Sequence, residues 1–100
     1  MASRLKLQEE LEKILESKNV YFQPPARMSY PCIKYSLTGV DTTRADNSIY
    51  KSTNRYEVTV IDYDPDSAIH TKILNHFPMC GFDRAYPSNG LNHFVLTLYF

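Results

Sequence analysis

Apolar residues recur along this chain with two different periods, and the changes of period divide it into seven elements. Leu7, Leu11, Ile14 and Leu15 return at helical spacing between charged residues, which predicts a helix over residues 4–17 with one narrow apolar stripe. Ser3 is placed to cap its start and Asn19 to stop it, with Glu9, Lys13, Glu12 and Glu16 on the solvent side. A single stripe does not hold a helix in water, so this one has to dock on something. Residues 20–23 form a short extended segment, closed by Pro24 and Pro25, which exclude both helix and central strand. Over residues 32–37 the period changes to two: Ile33, Tyr35 and Leu37 share one face, and Cys32, Lys34 and Ser36 the other. Pro31 holds Tyr30 extended at the entry to this strand.

Residues 38–48 are polar and aperiodic and carry Gly39 and an Asp46-Asn47 turn signal, which reads as an exposed loop or a protruding hairpin tip. Alternation resumes over residues 49–62, with Tyr56, Val58 and Val60 opposite Arg55, Glu57, Thr59 and Ile61. Asp64-Pro65-Asp66-Ser67 reads as the opening of a second helix, with Pro65 in the first turn and Asp64 or Asp66 as the cap. Its buried stripe is Ile69, Ile73, Leu74 and Phe77, and Pro78 ends it. Residues 80–86 and 92–100 are strands about a Pro87-Ser88-Asn89-Gly90 turn. In the last strand Phe94, Leu96, Leu98 and Phe100 oppose His93, Val95, Thr97 and Tyr99, so both faces are largely apolar. That pattern suits a central strand, or a face used by a neighbouring subunit. The order α-β-β-β-α-β-β indicates an α+β fold, a small and mainly antiparallel sheet with both helices on one face. Its 100 residues are expected to form one domain.

Charge narrows the classes of partner. Eleven basic residues balance eleven acidic ones, which leaves no electrostatic footprint for nucleic acid or an anionic bilayer. No apolar run has the length of a membrane span, and residues 1–15 lack the apolar core of a signal peptide. Eight Tyr and five Phe fit a Tyr-rich sheet and also a protein–protein contact surface. Cys32 and Cys80 stand outside any ligand-spaced motif among apolar neighbours, as expected of reduced, packed thiols.

Candidate chemistry is sparse. The segment from Asp62 to Ser67 resembles the start of a calcium loop, but the sixth position is Ser67 and the twelfth Ile73 where that loop needs Gly and Glu. His70, His76, His93 and Cys80 match no zinc spacing. There is no phosphate-cradling glycine loop and no nucleophile elbow, so no catalytic residue, metal site or cofactor is assigned and a non-enzymatic protein is expected.

Four stretches together, LESKNVYFQPP, MSYPCIKYSL, NRYEVTVIDYDPDS and MCGFDRAYPSNGLNHFVLTLYF, resemble the small tail completion or tail terminator (tail-to-head joining) proteins of tailed bacteriophages. The resemblance covers nearly the whole chain. It implies a structural virion protein, assembled in the host cytoplasm, that forms a ring with copies of itself, typically a hexamer, at the head-proximal end of the tail. Such a ring stops the tail tube protein from polymerising and presents a surface to the head–tail connector protein. DNA passes through without sequence-specific contact, and no cofactor is involved. Arg44, Asp46, Asn47, Arg55, Asp83, Arg84 and Tyr99 are the candidate inter-subunit or lumen positions. The alternatives are another head–tail connector, head-completion or tail tube component, and a small cellular module that binds peptides by strand addition.

Overall fold

The computed structural model describes residues 4–23, 27, 29–45 and 48–100, with the backbone alone for 41–45 and 48–52. Its elements are α1 (Arg4–Leu15), β1 (Val20–Phe22), β2 (Cys32–Ala45), β3 (Ser48–Asp62), α2 (Ile69–His76), β4 (Cys80–Ser88) and β5 (Leu91–Tyr99), in the predicted order. The strands form one sheet in the order β1-β2-β3-β5-β4. β1 runs parallel to β2, and the other pairings are antiparallel.

Register explains the core. Ile33, Val60 and Phe94 lie in one row across β2, β3 and β5, and Tyr35, Val58 and Leu96 in the next. Leu7 and Leu11 of α1 and Ile73 of α2 are fully buried in the same cluster, with Phe77 beside them. Burying one such side chain stabilises the fold by roughly 1.5–3 kcal/mol, which is what docks two helices too short to persist alone. β5 sits between β3 and β4, so its apolar character on both faces reflects a central position.

Two tyrosines, Tyr35 and Tyr56, bring hydroxyls into this cluster, and that of Tyr35 ties α1 to the sheet. Arg4 Nη1 donates to it at 3.2 Å, and it donates to Gln8 Oε1 at 2.5 Å. Gln8 Nε2 in turn donates to the Val20 carbonyl at 2.8 Å, so α1 seals the outer side of β1. Arg4 also lies over the Phe22 ring, 4.4 Å from its centroid.

Local details differ from the sequence-based expectations. α1 ends at Leu15, because Glu16 turns into the left-handed region at φ 59° and Asn19 already bonds to β2 through its carbonyl. Ser3, Pro24 and Pro25 lie outside the described residues. Neither Asp64 nor Asp66 caps α2; from this segment it is Ser67 Oγ that accepts from the first helical N–H, that of Ile69, at 3.4 Å. Asp64 N–H donates to Asp62 Oδ1 and Asp66 N–H to Asp64 Oδ1, making a separate turn, and α2 starts beyond it at Ile69. Pro87 and Ser88 belong to β4, leaving Asn89 (φ 53°) and Gly90 (φ 75°) as a two-residue turn. Proline is tolerated there because β4 is an edge strand.

Over residues 38–48 the structure takes the hairpin alternative and extends the strands well into it. β2 continues through them to Ala45, paired to β3 up to Ala45↔Ser48, with register shifts between Leu37 and Gly39 and between Thr43 and Arg44. β5 accompanies β3 only from Arg55 to Asp62. Beyond Arg55 the β2–β3 pair therefore projects as a two-stranded arm, roughly 20 Å long at about 3.3 Å per residue. With it the molecule measures 51 × 24 × 23 Å.

Candidate assembly surfaces

One sheet face carries both helices; among the described residues no helix packs on the opposite face, and it gathers four of the sequence-derived positions. Phe82 pairs with Leu96 and Arg84 with Val95, so Asp83 is an extra residue in β4. This bulge brings Asp83 and Arg84 to the same side, where simple alternation would separate them. Arg84 Nη1 donates to Asp83 Oδ2 at 2.7 Å, and Arg84 Nη2 lies 3.9 Å from Glu57 Oε1. Glu57 stands on β3, two strands from β4, so this pair arches over β5. Val95, in the row beneath, is only 1% exposed although it faces away from the helices. Both ionic side chains are about half exposed, so the strap organises the surface more than it stabilises the fold.

Arg55 and Tyr99 are cross-strand partners at the end of the same face, where the arm begins. Thr38 Oγ1 donates to the Arg55 carbonyl at 3.1 Å, and Arg55 Nη2 donates to the Thr38 carbonyl at 3.4 Å. Gly39 makes room for this guanidinium, since a Cβ there would stand 2.4 Å from Arg55 Nη2. Arg44 lies in the arm opposite Ile49, its side chain outside the description, and Asp46 and Asn47 lie outside the described residues.

The histidines and cysteines are dispersed. His70 of α2 stacks on Phe94 at 4.4 Å, on the helical face. His76 Nε2 reaches Glu10 of α1 at 3.6 Å. His93, on the face away from the helices, stacks on Tyr86 at 4.8 Å with the rings 4° apart. Burial first, and the nearby Lys34 charge second, push the His93 pKa below its ordinary value, against a hydrogen bond with the Ser88 backbone. Cys80 packs at the margin of the core, while Cys32 lies on the other side of the sheet. Both are free thiols, Cys32 buried and Cys80 only half-buried; burial raises both pKa values, that of Cys32 to about 11. Among the described residues no three His, Cys, Asp or Glu side chains are grouped as metal ligands, and no helix is long and apolar enough to cross a membrane.

Sequence reasoning missed two residues. Glu57, the far end of the strap, shares alternation with Arg55 and was legible as a face neighbour. Gln8 looks like any solvated helical residue until Val20 and Tyr35 are brought beside it.

No protein-family model and no curated protein matches the chain.

Proposed function

We propose that this protein is a structural subunit that assembles as a ring with copies of itself, capping the head-proximal end of a phage tail tube and joining it to the head connector. The observation that carries the assembly half is the arm. A two-stranded ribbon is marginal by itself in water, and past Arg55 neither β5 nor, among the described residues, any other strand lies beside it. An element of this kind gains its stability against another molecule. The sheet face away from the helices, with a mixed-sign belt of Lys34, Glu57, Asp83 and Arg84, is a second and different surface, and two non-identical surfaces are what a head-to-tail ring requires. The place of the ring in the tail comes from the sequence resemblance.

A second reading is favoured by the free outer side of β4: a module that captures an extended peptide by strand addition. The two readings separate by mass. Sedimentation velocity and negative-stain microscopy of the purified chain should show discrete rings. A chain that stays a monomer at every concentration reached, with or without isolated tail tubes, overturns the ring reading. Replacing residues 42–52 by Asn-Gly, which closes the hairpin at the Asp41↔Thr53 pair, should preserve thermal unfolding while abolishing rings.

A further inference from the structure

The exposed apolar side chains are not scattered. Among the described residues seven large hydrophobics are exposed: Leu5, Leu37, Val40, Tyr63, Met79, Phe82 and Tyr86. Five of these seven sit on or beside two strand edges at opposite sides of the sheet. Leu37 and Val40, 48% and 50% exposed, belong to β2 just past Tyr35, where pairing with β1 stops. Met79, Phe82 and Tyr86, 53%, 48% and 40% exposed, run along β4, whose residues are exposed from Gly81 to Ser88. On the outer side of each stretch no strand of this chain is paired among the described residues.

The two edges are matched in length and in kind. β2 offers its outer side from Ser36 to Ala45 and β4 from Cys80 to Ser88. Each combines unpaired backbone groups with apolar side chains, the combination that drives strand pairing between chains. They differ in identity and lie on opposite flanks of one sheet, so joining one to the other leaves a free edge at each end, as a closed ring requires. The remaining edge, β1, is the one that Gln8 seals. The bulge at Asp83 and the missing N–H of Pro87 interrupt the β4 edge, which disfavours indiscriminate pairing and demands a partner in one register.

We infer that the β4 edge of one copy pairs with the outer edge of β2 of a second copy, near Leu37 and Val40, so that the sheet runs on from subunit to subunit. This rests on the ring reading and names its contact. Phe82 and Met79 of one subunit then bury against the Leu37–Val40 stretch of the next, and the arm, which continues that same β2 strand, is carried onto the neighbour.

The test is complementation between two blocked chains. One carries Phe82→Glu, or Met79→Glu as a second version in case the contact of Phe82 with His70 matters for folding; the other carries Leu37→Glu with Val40→Glu. Circular dichroism and thermal unfolding establish that each is folded. Each chain alone should sediment as a monomer. An equimolar mixture should give a species of twice the 11.6 kDa of one chain and no rings, because only one intact β4 edge and one intact β2 edge remain. If either blocked chain forms rings like the wild type, or if the folded mixture stays monomeric while the wild type assembles, this contact is wrong and the ring reading stands. A wild-type chain that never assembles removes the ring reading itself.

Discussion

Replacing Gln8 by Ala removes one side chain that serves two elements. Its Nε2 satisfies the Val20 carbonyl at 2.8 Å, and its Oε1 accepts from the hydroxyl of Tyr35, a residue 1% exposed. Leaving a buried polar group without its partner costs about 1–3 kcal/mol. Both bonds are only partly buried, so the lower end applies, about 1 kcal/mol each. The gain in helix propensity from Gln to Ala returns at most ~0.5 kcal/mol. The net destabilisation is therefore about 1.5 kcal/mol, which in a domain of this size lowers Tm by roughly 6–12 °C. Tyr35→Phe removes the hydroxyl and with it one of the two losses. In that background Gln8→Ala should cost only about 0.5 kcal/mol, leaving a coupling of about 1 kcal/mol between the two positions. Urea unfolding of the wild type, both single variants and the double variant measures this, provided the slope with denaturant is unchanged. If Gln8→Ala costs the same with Tyr35 or Phe at that position, the hydroxyl does not depend on Gln8 and the account of the α1 dock fails.

Three further outcomes follow from other parts of the structure. Ile73→Ala, at the fully buried centre of the α2 stripe, should destabilise by about 2–5 kcal/mol in chemical unfolding, and a cost under 1 kcal/mol would mean that α2 is not held by this contact. Because the folded His93 pKa is depressed below 6.5, the unfolded chain binds more protons as pH falls through 6.5. Stability should be fully present above 6.5 and decline below it until the folded value is passed; His93→Gln should flatten that part of the profile. Cys32, raised to about 11 and buried, should resist a thiol-exchange reagent at pH 8 in the native protein, with the half-buried Cys80 reacting first. Equal rates for the two would contradict the burial assigned to Cys32.

Much of the fold could be read before the structure because burial imposes a period on side chains. Leu7 and Leu11, Ile33 and Tyr35, Val58 and Val60, and Ile73 and Phe77 all lie where their spacing puts them, in one cluster between sheet and helices. The arm could not be read this way. Its strands are joined by backbone hydrogen bonds, and its polar sequence carries no alternation, so residues 38–48 read equally as a loop or a hairpin tip until the pairing from Gly39↔Arg55 to Ala45↔Ser48 is known. Asp83 and Arg84 were legible as charges, yet their shared side depends on a bulge, which only the register with β5 reveals.

The sequence by itself determined the two helices, the strands of the core, the apolar character of both faces of β5 and the neutral balance of charge, all consequences of local spacing and composition. Tertiary structure alone decided where strands end up beside one another. It placed β1 in parallel against β2 under the seal of Gln8, sent β2 and β3 out past β5, and left the outer sides of β2 past Tyr35 and of β4 without a paired strand among the described residues. The reason is that an edge is a property of strand order. Leu37 and Phe82 occupy strand positions like those of Tyr35 and Leu96, and they stand in solvent where, among the described residues, no next strand is paired.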